Sequence, residues 1–272
     1  MDLYNEDCLE KMKDLSDNSI DLLFCDLPYG QTSCKWDSLI DLELFWKEVN
    51  RVCKITTPMF FTCSTKFGVS LINSNPKNFR YDLVWVKSAP CGFLNAKKMP
   101  MKKHEMIYVF YRKLPFYNLS SHEQKLLPER KTIDYKSGSF VYGKIDRPDF
   151  MRKNGESRYE PPLPNSIIKT ELYSNENKEE PRELYRNEGG QYEPPLPNSL
   201  LEIKSQKGKH ATQKPTALIE WCLKYYSKEG DTILDPTMGS GSTGVACKNM
   251  NRNFIGIEKD EKIFNSAVER LK

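Results

Sequence analysis

A carboxylate that ends a strand and runs at once into a glycine-rich turn and a helix is an arrangement for holding a small ligand. Asp235-Pro-Thr-Met-Gly-Ser-Gly-Ser-Thr-Gly244 reads this way. Gly239 and Gly241 let a ligand approach the backbone without side-chain hindrance, and the helix that follows offers unpaired N–H donors in its first turn. An acid just before such a loop repels a pyrophosphate but suits a ligand bearing an ammonium and a sulfonium. Glu258, at the end of the following strand, is placed to hold two ribose hydroxyls. GSGSTG alone meets only the loose GxGxxG pattern, so the flanking acids carry the reading. The second stretch is Asp26-Leu-Pro-Tyr29. A carboxylate, an outward backbone carbonyl and an aromatic ring can together accept two hydrogen bonds from an exocyclic amine and stack on the ring that bears it. As bare text it is also a common turn. Its place at the end of an apolar run puts it where α/β sheets hold their ligands.

The elements that must position these residues follow from periodicity. Residues 7–15 have helix spacing, and IDLLFCD over 20–26 has the profile of a buried strand. An amphipathic stretch spans 42–53, a strand 59–64, a helix starts at Lys66, and strands span 81–87 and 105–112. Regular pattern returns at Thr216. A helix there puts Leu218, Trp221, Cys222 and Tyr225 on one face, followed by a strand at 232–235, a helix at 242–250, a strand at 253–258 and a helix at 262–271. Strands apolar on both faces, alternating with helices, predict a mostly parallel Rossmann-like sheet with helices on both faces. The nucleotide-binding half stands last rather than first.

Between them, 113–209 is rich in Pro, Asn, Ser and Glu and has no long periodic segment. It holds one repeat, Tyr159-Glu-Pro-Pro-Leu-Pro-Asn-Ser166 and Tyr192-Glu-Pro-Pro-Leu-Pro-Asn-Ser199. Two proline-locked octamers do not make a solenoid, so a local duplication within an insert is the better reading. Composition excludes a membrane span, a collagen and wholesale disorder, since 38% of the residues are apolar and the longest apolar runs are strand-sized. The net charge of +4 hides a gradient. Residues 1–50 carry 4 basic and 12 acidic groups, and residues 51–131 carry 15 and 4. That basic middle includes Lys87, Lys97, Lys98, Lys102, Lys103, Arg112, Lys113, Arg130 and Lys131, interleaved with Trp85, Phe93, Tyr108 and Tyr111, as a phosphate-contacting rim would be. The eight cysteines have no metal-like spacing and read as reduced thiols; no metal site is expected. His104, His122 and His210 are isolated. The N-terminus has no apolar signal core, which predicts a cytoplasmic protein.

Taken together, the two motifs resemble those of the beta class of S-adenosylmethionine-dependent DNA amino-methyltransferases. Asp26-Leu-Pro-Tyr29 is similar to their (D/N/S)PP(Y/F/W) motif, DPTMGSGSTG to their cofactor loop, and His210-Ala-Thr-Gln-Lys-Pro215 to their HPTQKP. Asn5-Glu-Asp7 ahead of Asn18-Ser-Ile-Asp21, and Lys98-Met-Pro-Met-Lys-Lys-His-Glu105, also match. The catalytic motif precedes the cofactor loop, a circularly permuted order. The resemblance implies a catalytic half (1–112), a target-recognition insert (113–209) and a cofactor half (210–272). It implies that Asp26 and the Leu27 carbonyl grip the target amine, with Pro28 shaping the turn and Tyr29 stacking on an extruded base. Asp235, Pro236, Gly239, Ser240 and Gly241 would hold the methionine part of S-adenosylmethionine, Glu258 its ribose, Asp7 its adenine, and Lys214 would close over its carboxylate. Lys97, Lys98, Lys102 and Lys103 would contact double-stranded DNA. Within the insert, Arg147, Arg152, Lys153, Arg158, Arg182 and Arg186 would be able to read guanine edges. A homodimer and a companion restriction endonuclease are partners the class allows. Leu27 and Ala211 replace prolines of the family pattern; Leu keeps the carbonyl acceptor and loosens the turn. Asp at 26 with Tyr at 29 favours adenine N6 over cytosine N4. A nicotinamide-dependent oxidoreductase built on GSGSTG leaves Asp26 and the basic loops unexplained, and a non-catalytic DNA-binding protein is the remaining alternative.

Overall fold

The apolar runs around residues 22, 60 and 233 become neighbouring strands at the centre of one sheet because both of their faces are covered. The computed structural model describes residues 1–30, 38–118, 120–121 and 213–272, together with the backbone of short strands at 123–124, 159–160 and 167–168. The strands are β1 (Asp2–Tyr4), β2 (Leu22–Cys25), β3 (Met59–Cys63), β4 (Phe79–Cys91), β5 (Lys102–Phe110), β6 (Glu123–Gln124), β7 (Tyr159–Glu160), β8 (Ile167–Ile168), β9 (Thr232–Asp235) and β10 (Asn253–Ile257). The helices are α1 (Cys8–Met12), α2 (Leu42–Val52), α3 (Thr65–Ser74), α4 (Thr216–Tyr226), α5 (Ser242–Asn249) and α6 (Glu261–Leu271). Two units separate: residues 1–118 with 166–272, and residues 119–165. In the smaller unit, β6 and β7 pair antiparallel.

The main sheet runs β1-β10-β9-β2-β3-β5-β4-β8. From β1 to β3 all pairings are parallel, and β5 then lies antiparallel between β3 and β4. From β9 the chain crosses outward through α5 to β10, and from β2 it crosses the other way through α2 to β3. The boundary between β9 and β2 is therefore the topological switch point, where the strand ends open a crevice.

Alternation along β3 sends Phe60 and Phe61 to opposite faces. Phe61 meets Phe45 and Trp46 of α2 at ring-centroid distances of 6.1 and 5.4 Å, and Phe110 of β5 at 5.5 Å. Phe60 meets Tyr226 of α4 at 5.1 Å. Helices thus cover both faces, and each buried Phe contributes about 1.5–3 kcal/mol. Acids or hydroxyls start the amphipathic helices: Asp41 accepts from the Glu43 and Leu44 N–H groups, Ser64 from Phe67, and Asp260 from Lys262 and Ile263. The predicted face of α4 is wider than expected. Leu218, Cys222 and Tyr225 are buried, but so are Ile219, Leu223 and Tyr226, while Trp221 is only half-buried, because α4 is covered by α5 as well as by the sheet. Cys34, His122, Arg130, Lys131, the basic residues singled out at 147–186, nearly all of the repeat, and His210 to Thr212 lie outside the described residues. No helix among the described residues is long and apolar enough to cross a membrane.

Candidate active site

All the parallel strands end on one edge, which brings the predicted acids together. Asp26 follows β2, Asp235 closes β9, Glu258 follows β10 and Asp7 follows β1. Asp26 and Asp235 flank the switch point, and Thr237 ties them. Its hydroxyl donates to the Asp26 carbonyl at 3.1 Å and lies 3.3 Å from the Cys25 thiol, while its N–H donates to Asp235 Oδ1 at 3.2 Å.

Asp235 is 4% exposed. Oδ2 accepts the Thr243 hydroxyl at 2.5 Å, so its donors among the described residues are neutral. Burial, reinforced by Asp26 and Glu258, pushes its carboxyl up to about 7 against those hydrogen bonds. The glycines beyond it differ in purpose. Gly239 has φ +51°, and a Cβ there would meet nothing nearer than the Thr237 carbonyl at 4.0 Å, so its α-carbon faces open space. Gly241, at φ +75°, is hemmed by Leu271 and Ala267 of α6, and its requirement is helix packing as well as conformation. Arg270 of α6 fixes the turn, donating to the Ser240 carbonyl at 3.0 Å and to the Ser240 and Ser242 hydroxyls at 3.2 and 3.1 Å. Glu258 Oε2 accepts the Gly239 N–H at 3.1 Å and Oε1 that of Asp260 at 2.8 Å, and burial raises its carboxyl. Asp7 has both oxygens engaged: Oδ1 caps α1 through the Leu9 N–H at 2.9 Å, and Oδ2 pairs with Lys259 at 3.0 Å. Burial works against its charge, but Lys259 and the backbone N–H groups of α1 together lower its carboxyl below the ordinary value.

Asp26 is held differently. Oδ1 accepts the Thr62 hydroxyl at 2.6 Å and lies in hydrogen-bond contact with the Tyr29 hydroxyl, which also reaches the Thr62 carbonyl at 2.7 Å. Oδ2 meets Lys214 Nζ at 2.5 Å. Leu27 is buried at 2% exposure, which anchors the backbone carrying the carbonyl acceptor. Tyr29 packs against Phe67 at 5.4 Å, and burial followed by the Asp26 charge raises its phenol. Lys214, in the short segment ahead of α4, also stands 3.6 Å from Glu105 Oε1, and Glu105 Oε2 pairs with Lys87 at 3.0 Å. Burial opposes the Lys214 charge, but Asp26 and Glu105 together hold its ammonium above the ordinary lysine value.

The basic middle divides. β4 and β5 form a hairpin whose turn begins at Gly92, with φ +94°. Lys97 and Lys98 are exposed in that turn, and Lys102 and Lys103 start β5 half-buried. Lys87 is engaged by Glu105, and Arg112 donates to the Cys53 carbonyl at 2.5 Å, so these two serve the fold. Of the interleaved aromatics, Trp85 and Tyr108 are core and Phe93 is exposed, beside an almost fully exposed Leu94. Glu105 was missed as a site residue in the sequence. Its only signal there was its place in the Lys98 to Glu105 stretch.

A model of the DNA methylase family, N6 and N4 methyltransferases, matches residues 20–269. The chain is 25% identical to the Type II methyltransferase M.HinfI of Haemophilus influenzae over 98% of its own length and 67% of that protein's. It is 46% identical to the Type II methyltransferase M2.DpnII of Streptococcus pneumoniae, over 26% of each chain. Among solved structures, the M1.HpyAVI–SAM complex superposes with a TM-score of 0.57 at 22% identity over 99% of both chains. The cytosine-N4-specific PvuII DNA methyltransferase superposes with a TM-score of 0.61 at 13% identity over 99% of this chain and 86% of the other. The paired strand-end acids, the glycine turn and this match over nearly the whole chain place the protein in the N6/N4 DNA methylase family.

Proposed function

We propose that the protein transfers a methyl group from S-adenosylmethionine to the exocyclic N6 of adenine at a specific site in double-stranded DNA. The observation that carries this reading is the switch point itself, where one threonine ties the backbone of Asp26, whose carboxylate would grip the amine, to the buried, cation-seeking carboxylate of Asp235. The cradle fits the cofactor. Asp235 lacks a cationic partner among the described contacts, and an ammonium placed beside it relieves the strain of its burial. The open space over Gly239 admits a ligand against the backbone, and Glu258 borders the same turn. Asp7 reaches an adenine amine by exchanging its Lys259 partner. When bound, S-adenosylmethionine supplies an electrophilic methyl on a sulfonium.

The chain's own part is to orient the nucleophile. An exocyclic amine is weak because its lone pair is delocalised into the ring. Asp26 Oδ2 and the Leu27 carbonyl accept its two hydrogens and draw the nitrogen toward tetrahedral geometry, which localises that pair. Thr62 and Tyr29 hold Oδ1, so the amine takes Oδ2, displacing Lys214 from it. Catalysis is then mostly positioning and charge placement. Lys97, Lys98, Lys102 and Lys103 lie along the hairpin where a duplex would meet this edge, and a companion endonuclease and a second copy of the chain belong to the same reading. Adenine rather than cytosine rests on Asp at position 26 and Tyr at 29. The test is to treat unmethylated plasmid DNA with the protein and labelled cofactor, digest it to nucleosides and separate them by mass. N6-methyldeoxyadenosine is expected; N4-methyldeoxycytidine alone would replace adenine with cytosine, and no labelled nucleoside would sink the reading.

A further inference from the structure

Oδ2 of Asp26, the oxygen the target amine needs, is occupied by Lys214 at 2.5 Å. Docking the amine therefore requires the ammonium to leave. Its side chain is 12% exposed, so departure without a new partner would strand a desolvated charge, and uncompensated buried charges are strongly unfavourable. The partner is already in place. Glu105 is 13% exposed, and its Oε1 stands 3.6 Å from Lys214, within ion-pair range but beyond a hydrogen bond. Its other oxygen is fixed by Lys87 at 3.0 Å. Lys87 lies over the ring of Trp85 at 5.4 Å, and Trp85 sits directly opposite Glu105 in the β4–β5 ladder, so the carboxylate is braced from its own hairpin. The result is an alternating row, Asp26, Lys214, Glu105 and Lys87, in which one ammonium lies between two carboxylates.

We infer that Glu105 is a positioning residue for methyl transfer: it takes over Lys214 as the target amine replaces that ammonium on Asp26. The role rests on the methyltransferase reading above. Glu105 touches neither base nor cofactor in this scheme, and it acts by keeping Lys214 compensated while Asp26 changes partner. The same hairpin carries Lys97 and Lys98 at its turn, so a shift of the hairpin on meeting DNA would be felt at Glu105.

Glu105→Gln and Glu105→Asp test it. In single-turnover methylation with both substrates saturating, Glu105→Gln is expected to slow transfer by about 10²-fold. Cofactor and DNA dissociation constants should stay within about twofold, and Glu105→Asp should recover a large part of the rate. A Glu105→Gln rate within twofold of wild type overturns the inference. So does a loss that tracks weakened cofactor binding, since that is not a positioning effect. A readout free of turnover is a denaturation cycle of Glu105→Gln, Lys214→Met and the double variant. Non-additive losses are expected, with Glu105→Gln milder once Lys214 is gone; additive losses mean the two do not share charge and overturn the inference in an active enzyme. A wild-type protein that methylates no DNA sinks the functional reading, and this role with it, whatever the cycle gives.

Discussion

The two strand-end aspartates stand on neighbouring strands and are bound to one threonine, yet they solve opposite problems. Asp235 is closed in and, among the described residues, met by neutral donors, so in the proposed function its charge is paired by a cation from outside. Asp26 is half-exposed and already has a cation, supplied by the chain through Lys214. In the proposed function the first half of the site gains by binding, and the second must give up a partner to work. Under the proposed function, a site built this way takes its cofactor readily and holds its amine-gripping group in check until a competing amine arrives.

The largest effect that would test this contrast is at Asp26. Asp26→Ala is expected to lower methyl transfer by on the order of 10³-fold with cofactor affinity kept, measured by single-turnover assay beside calorimetry. Equal loss of cofactor binding would erase the division of labour. Asp235→Asn should do the reverse, weakening the cofactor by roughly 10²-fold, since a buried charge partner is removed. Intact affinity there would mean that Asp235 shapes the turn without pairing.

A pH series sharpens the same point. Because the Asp235 carboxyl rises from 3.8 to about 7 on folding, the folded state holds more protons than the unfolded state in that window. Its contribution to stability is therefore fully present below about pH 4 and lost as pH rises to about 7, a swing of roughly 4 kcal/mol. Asp235→Asn should remove that swing and make the cofactor-free protein more stable at pH 8, read by urea unfolding. Cofactor affinity should climb with pH toward 7 and then level off, since pairing with an ammonium needs the ionised acid. Smallest is the hairpin. Removing Lys97 and Lys98 together should reduce the slope of log affinity for DNA against log salt by about 2, without altering which site is methylated.

Much of this was legible in the sequence because the signals were local. A strand buried on both faces writes itself as an apolar run, and the amphipathic helices show in their spacing. β1, three residues long, left no periodic trace; it exists because β10 offers it a parallel edge. The antiparallel setting of β5 was equally silent, since alternation is the same in either direction. Asp26 and Asp235 were found because each sits in a motif. The pairing of Asp26 with Lys214 bridges 188 residues, and nothing in either neighbourhood encodes it. Lys214 was read as a cofactor contact; its observed partners are Asp26 and Glu105. Lys87 and Arg112 looked like rim charges because composition cannot tell a solvated cation from one committed to a carboxylate or a carbonyl.

Arg270 carries a further consequence. Glycines at 239 and 241 give the cofactor turn the freedom to take many shapes, and fixing a residue's backbone costs about 1–2 kcal/mol in entropy. By gripping Ser240 and Ser242 from α6, Arg270 charges that ordering to the folding of the protein rather than to the arrival of the ligand. In the proposed function the turn meets its ligand already set, so little entropy is lost to ordering it on binding. Arg270→Ala would release Ser240 and Ser242 and show its effect in the calorimeter as a less favourable binding entropy.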